Sequence, residues 1–125
     1  MSASLAGSIH HVSFAVPELE PARRFYEDIL GCRPLSRPDL PTPGIWLSAP
    51  GCEVHLILSP NAGHDDKPSA PNGMANHVAF RIDDYDATLR RLQNLGLRAV
   101  EGNSGIRQIF VQDPAGNVIE LIATT

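Results

Sequence analysis

Cysteine is scarce in this chain, and long hydrophobic runs are missing. Only two of the 125 residues are cysteines, Cys32 and Cys52. Because the chain opens without an export signal, we expect both to stay reduced thiols rather than form a disulfide. No apolar run approaches the roughly 20 residues that a membrane-spanning helix requires. The sequence therefore argues against a disulfide-stabilised secreted domain and against a membrane protein.

Positive charge is also in short supply. The formal net charge is −4, which gives no electrostatic reason to expect nucleic acid or an anionic membrane as a partner. The opening residues MSASLAGS have neither the charged nor the apolar region of a signal peptide. We therefore expect a cytoplasmic protein with a small molecule as its partner.

Hydrophobic periodicity predicts a β-α-β-β-β module in the first half of the chain. Residues 8–16 alternate as a half-buried strand does, and residues 18–31 carry apolar side chains at helical spacing. After a proline-rich stretch, two short strands are predicted at 44–49 and 52–58. The first module is therefore expected to span about residues 8–58.

The same order of elements returns in the second half. A polar connector rich in Pro, Gly and Asn covers residues 59–76. Beyond it we predict four strands and one helix, with the helix at 84–96 and the strands at 77–83, 97–100, 107–113 and 118–123. The chain is thus predicted to be one α+β domain over residues 1–125, with its second module at about 77–123.

The duplication places four metal-capable side chains at equivalent positions. Aligning HHVSFAV with NHVAFRI lays His11 on His77, and aligning EVHLI with VIELI lays His55 on Glu120. Strand alternation puts each of them opposite large apolar neighbours, so all four are expected to face one concavity. Three imidazoles and a carboxylate suit a borderline divalent ion. We predict a metal site formed by His11, His55, His77 and Glu120.

Other interpretations of these residues stay open. A single inward histidine is often a hydrogen-bonded core residue, and His55 and Glu120 could be tolerated near the sheet rim. On the first strand, His10 and His11 are expected to point in opposite directions. No nucleophile elbow, P-loop or dinucleotide fingerprint occurs, so a metal would have to carry any chemistry.

Four motifs resemble the glyoxalase I, bleomycin-resistance and extradiol-dioxygenase superfamily, the vicinal oxygen chelate proteins. They are HHVSFAV, FYEDILG on the first helix, NHVAF and DPAGNVIEL, and the resemblance covers nearly all of residues 10–122. It implies a U-shaped, eight-stranded mixed sheet around a divalent ion (Zn, Ni, Mn, Co or Fe). It also implies a homodimer whose sites form between modules and take ligands from one or both chains. The metal-binding positions of glyoxalase I-like members fall here on His11, His55, His77 and Glu120.

The resemblance is incomplete around the ligands. Glyoxalase I has a carboxylate where this chain has His55, so the ion here would carry more positive charge and polarise a bound oxygen more strongly. The arginine and asparagine that hold glutathione in bacterial glyoxalase I are replaced by Ala15 and Ser59. Glutathione conjugates are therefore not the expected substrates.

The function predicted from these residues is a metal-dependent lyase or isomerase acting on a small carbonyl or oxyanion substrate. Glu120 and His55 are the predicted catalytic residues, with Glu120 or a water molecule moving a proton. Arg37, Trp46 and Arg107 are candidates for substrate binding, because guanidinium groups match carboxylates and an indole offers a stacking face. Alternatively, the two arginines are solvated and Trp46 belongs to the core.

Two further functional classes are retained as alternatives. An extradiol-type Fe(II) dioxygenase would use only His11, His77 and Glu120 as ligands. Its additional tyrosine beside those ligands is not matched, since Tyr26 and Tyr85 fall on or beside predicted helices. A non-catalytic protein that binds a small, antibiotic-type molecule would keep the fold without turnover. Members of this superfamily that modify fosfomycin bind its phosphonate with a cluster of cationic residues. The connector here contains only Lys67 as a cation, so the sequence does not support that activity. A second metal site at His64, Asp65 and Asp66 is not expected in such a polar loop.

Overall fold

The computed structural model describes residues 4–62, 71, 73–103 and 105–123. The chain divides into two compact units, Met1–Ala62 (unit 1) and Gly63–Thr125 (unit 2), and the boundary falls inside the predicted connector. Each unit contains one four-stranded mixed sheet, which confirms the α+β class and the eight strands. That the two units act as one domain stays a prediction.

Unit 1 has the predicted order of one strand, one helix and three strands. Its elements are β1 (His11–Val16), α1 (Leu19–Arg24), a π-helical turn (Phe25–Ile29), β2 (Arg33–Leu35), β3 (Gly44–Ala49) and β4 (Cys52–Leu58). The sheet order is β1-β4-β3-β2, with β1 parallel to β4 and the other neighbours antiparallel. Helix α1 contacts β3 and β4, and Ala22 and Phe25 are buried, so one face of the sheet is covered by the helix.

Unit 2 repeats this order. Its elements are β5 (His77–Ile82), α2 (Tyr85–Asn94), β6 (Val100–Glu101), β7 (Arg107–Gln112) and β8 (Val118–Ala123), in the sheet order β5-β8-β7-β6. Asp84 caps α2 by accepting a hydrogen bond from the Ala87 amide at 3.0 Å. The turn before β8 is closed by Asp113, whose Oδ1 accepts from the backbone amides of Ala115 and Asn117. Local side-chain contacts therefore fix where both elements begin.

The two sheets share one register, which confirms the internal duplication. In unit 1, Ser13 of β1 lies opposite His55 of β4, and in unit 2, Ala79 of β5 lies opposite Glu120 of β8. His11 and His77 each lie two residues before those small neighbours. The strand next to β1 in unit 1, and the strand next to β5 in unit 2, thus each place a metal-capable side chain opposite a small residue.

The largest differences from the predicted elements are at three strands. Strand β1 begins at His11, because His10 lies outside the ladder. Strand β2 belongs to the predicted β-α-β-β-β order, but its position was not predicted, since Pro34 lies at its centre; the proline is tolerated because β2 is the edge strand, with β3 as its neighbour in the sheet. Strand β6 lies at Val100–Glu101, at the end of the predicted segment. Among the described residues, no helix combines the length and hydrophobicity needed to cross a membrane.

Candidate metal centre

In unit 2, Glu120 and His77 form a close pair. Glu120 is only 5% exposed, and its Oε1 lies 2.9 Å from Nε2 of His77. Its other oxygen, Oε2, accepts a hydrogen bond from Nε2 of Gln108 at 2.8 Å. The ring of Phe110 lies edge-on to His77, with 5.8 Å between ring centroids. A buried carboxylate is thus held in a fixed orientation against one imidazole.

The hydrogen bonds of His77 indicate which of its nitrogens carries a proton. Nδ1 lies 2.7 Å from the carbonyl oxygen of Ala75, and a carbonyl only accepts, so Nδ1 must donate. A neutral His77 then has its lone pair on Nε2, which faces a carboxylate oxygen that also offers lone pairs. Two acceptors 2.9 Å apart repel each other unless a proton or a cation lies between them. A proton on either side chain or a bound cation would meet that requirement.

In unit 1, His11 and His55 stack. Their ring centroids are 4.0 Å apart and their planes differ by 13°. On the other face of His55, Trp46 stacks at 4.3 Å with a plane angle of 7°. His55 is 6% exposed, whereas His11 is exposed. The two predicted ligands of unit 1 are thus brought together, with one of them held between two rings.

Glu53 belongs to this cluster and was not predicted. Its Oε1 lies 2.9 Å from Nε2 of His55, and it is the ladder partner of His11. The hydrogen bond from His55, aided by the nearby histidines, holds the pKa of Glu53 below its usual value. Strand alternation could have identified Glu53, because residues two apart on β4 share a face.

The expectation for His10 was wrong. Its Nδ1 lies 2.8 Å from Nδ1 of His11, and the two rings meet edge-on with centroids 5.0 Å apart. The alternation of side chains along a strand does not apply to His10, because His10 precedes β1. His10 therefore borders the unit 1 pair instead of pointing away from it.

The three predicted substrate-binding residues contact their own units. Nη2 of Arg37 donates to the carbonyl of Thr42 at 2.6 Å, within the β2–β3 connection. Trp46 has one face of its indole covered by His55. The guanidinium of Arg107 lies 4.4 Å above the ring centroid of Tyr85, and its side chain is about half exposed. Substrate binding by these three residues stays a prediction.

Other residues considered from the sequence lie away from the pairs or outside the described ranges. Tyr26 is fully buried and stacks on Phe14, while the hydroxyl of Tyr85 donates to Glu101. Residues 63–70, which include His64, Asp65, Asp66 and Lys67, are outside the described part of the chain. Within that described part, no three His, Cys, Asp or Glu side chains form a ready metal cluster. The four predicted ligands instead form two pairs, one in each unit.

Comparison with known proteins identifies the family. A sequence model of the Glyoxalase/Bleomycin resistance protein/Dioxygenase superfamily matches residues 8–121. Glyoxylase I 4 of Arabidopsis thaliana is 31% identical over 120 residues, covering 91% of this chain and 69% of that protein. The ethylmalonyl-CoA/methylmalonyl-CoA epimerase of Cereibacter sphaeroides is 31% identical over 104 residues, covering 77% of this chain and 76% of that protein.

Comparison with solved structures supports the same family. TnmS3, an antibiotic binding protein from Streptomyces sp. CB03234, superposes with a TM-score of 0.71 at 28% identity, covering 98% of this chain and 100% of that chain. The family model, both sequence relatives and this structural match indicate the same superfamily. The chain therefore belongs to the Glyoxalase/Bleomycin resistance protein/Dioxygenase superfamily.

Proposed function

We propose that this protein is a metal-dependent lyase or isomerase whose four ligands, His11, His55, His77 and Glu120, bind one divalent ion. The observation that supports the proposal most is the contact between His77 and Glu120, which brings an imidazole nitrogen and a carboxylate oxygen that both suit a divalent ion within 2.9 Å of each other. The other two residues occupy the equivalent positions of the duplicated register. The ion would be bound within one chain or across two chains of a homodimer.

The donor set fits a borderline divalent ion. Three imidazoles and one carboxylate suit zinc, nickel, cobalt, manganese or iron, whereas calcium and magnesium prefer oxygen ligands. Such an ion would act as a Lewis acid on a carbonyl or oxyanion oxygen of the substrate. A small substrate with adjacent oxygens is therefore the class that we propose.

Glu120 is the residue that we propose moves the proton. Gln108 donates to Oε2, so Oε1, the oxygen that faces His77, is the one that would take a proton from the substrate or return it when it is not bound to the ion. Burial keeps water away from this oxygen and strengthens its electrostatic contacts. His55 is the second catalytic candidate, although its Nε2 is engaged with Glu53.

The relatives suggest the first substrates to test. One is named as a glyoxylase I and another as an epimerase of ethylmalonyl-CoA and methylmalonyl-CoA, so carbonyl compounds are the starting point. Protein purified without chelator would be analysed for metal and assayed with methylglyoxal plus a thiol and with methylmalonyl-CoA. An oxygen electrode would run in parallel.

The outcomes separate the candidate functions. Bound zinc, nickel, cobalt or manganese with turnover of a carbonyl substrate supports the proposal. Bound iron with oxygen uptake would replace it by the extradiol-type dioxygenase. A protein that binds no divalent ion, even after reconstitution, would overturn the metal-dependent mechanism.

A binding protein is the second candidate function, favoured by the likeness to TnmS3 at 28% identity. In that case the exposed face of β1 and the aromatic stack around His55 would hold a small molecule without turnover. Affinity for such a ligand would then be unaffected by Glu120→Gln. Loss of both binding and turnover in that variant would instead favour the enzyme.

A further inference from the structure

We infer that Glu53 is a positioning residue that determines which nitrogen of His55 is offered to the divalent ion. The contact between Glu53 Oε1 and His55 Nε2, at 2.9 Å, occupies the nitrogen farthest from the backbone. His55 would then bind the ion through Nδ1. The choice of ligand atom rests on the proposed function, but the hydrogen bond itself does not.

The contact between Glu53 and His55 indicates which imidazole nitrogen carries a proton. An ionised carboxylate is an acceptor only, so His55 must donate from Nε2. A neutral imidazole has one N–H, and its lone pair is therefore on Nδ1. No hydrogen-bond partner of that nitrogen is found in the described part of the chain. Metal-binding histidines commonly donate their other N–H to a carboxylate in this way.

Two neighbouring rings fix the plane of the His55 imidazole. His11 and Trp46 cover the two faces of His55 nearly in parallel, at 4.0 and 4.3 Å. Stacking fixes the plane of the ring, yet it permits two orientations related by a half-turn about the Cβ–Cγ bond. Because only one of these brings Nε2 to Glu53, the carboxylate selects between them.

Unit 2 has no carboxylate at the position equivalent to Glu53. There the position equivalent to Glu53 is Val118, which pairs with His77 as Glu53 pairs with His11. His77 instead donates from Nδ1 to a backbone carbonyl and presents Nε2. The duplication does not require a carboxylate at this position. Glu53 is therefore a local addition to unit 1, and the two units offer different imidazole nitrogens.

Nitrogen NMR on protein labelled with ¹⁵N-histidine tests this inference directly. In the metal-free protein, at a pH where the imidazoles are neutral, His55 should carry its single proton on Nε2. On addition of zinc, the ¹⁵N resonance that shifts to a coordinated value should be Nδ1 of His55. Zinc binding in which His55 coordinates through Nε2 would overturn the inference while leaving the metal site intact. If no histidine resonance responds to zinc, the proposed metal site fails, and the inference fails with it.

Variants of Glu53 give a second readout. Glu53→Leu should weaken zinc binding about ten- to a hundredfold, the usual effect of removing a carboxylate behind a metal-binding histidine. Glu53→Gln retains an oxygen acceptor and should lie between Glu53→Leu and the wild type. The matched control is Glu101→Leu, which removes a strand carboxylate bonded to Tyr85 and should leave zinc affinity unchanged. Equal zinc affinity in Glu53→Leu and the wild type would contradict the inference.

Discussion

The two units have the same strand register but different site chemistry. Unit 2 sets a buried carboxylate, Glu120, against one imidazole and an amide, so it contributes negative charge. Unit 1 sets two imidazoles face to face beside an indole, with Glu53 at the edge of the cluster. The duplicated backbone thus places a metal-capable side chain at the same point of each sheet, while the local contacts of that side chain differ between the units.

The largest expected effect comes from the carboxylate of unit 2. Glu120→Gln removes the carboxylate that we propose accepts the proton, so turnover should fall by about a hundred- to ten-thousandfold. Metal content, measured by mass spectrometry, should fall with it. His64→Ala, in the connector, is the control and should change neither quantity. Wild-type turnover in Glu120→Gln would refute the role of Glu120.

Removing one histidine from each pair tests whether the two pairs contribute differently to stability in the absence of metal. His77→Ala leaves Oε1 of the buried Glu120 without its nearest polar partner, which should lower the free energy of unfolding by about 1–3 kcal/mol. His11→Ala removes an exposed ring and should cost less than about 0.5 kcal/mol. Urea denaturation in the presence of chelator measures both. Equal losses of unfolding free energy in the two variants would show that the buried Glu120 is not stabilised by its contact with His77.

The sole tryptophan of the chain reports on unit 1. Trp46 stacks on His55, whereas the ring beside His77 in unit 2 is Phe110. Tryptophan emission should decrease when a divalent ion binds, because a metal-bound imidazole is a stronger electron acceptor. The decrease should disappear in His55→Ala. An unchanged emission in the wild type at saturating zinc would argue against His55 as a ligand.

Thiol chemistry gives the smallest effect and again reports on unit 1 alone, since both cysteines lie there. Burial raises the pKa of Cys32 to about 11, so little thiolate forms at pH 8. Cys52 is only half-buried. A thiol reagent at pH 8 should therefore modify Cys52 in the native protein and Cys32 only after denaturation. Equal reaction rates at the two cysteines would show that unit 1 is more open than described.

The sequence was sufficient to predict the parts of the fold that periodicity determines. Strands β3 and β4 lie where alternation placed them, and the shared register of the two units follows from aligning His11 with His77 and His55 with Glu120. These positions could be predicted because side chains on a strand must alternate between its faces.

What could not be predicted depends on contacts that periodicity does not encode. The position of His10 is set just outside a strand, where alternation gives no constraint. Arg37 donates to the carbonyl of Thr42 in an irregular connection. The proton position on His77 depends on one backbone carbonyl, that of Ala75. Each is a tertiary detail within a correctly predicted module.

The sharing of one ion by both units is tested most directly by metal stoichiometry in paired variants. Wild-type protein, the double variant His11→Ala/His55→Ala and the double variant His77→Ala/Glu120→Ala would each be equilibrated with zinc, and the bound metal counted per chain. The account predicts one tightly bound ion per wild-type chain and loss of that ion in both double variants. Full retention of the ion by either double variant would show that one unit binds it alone.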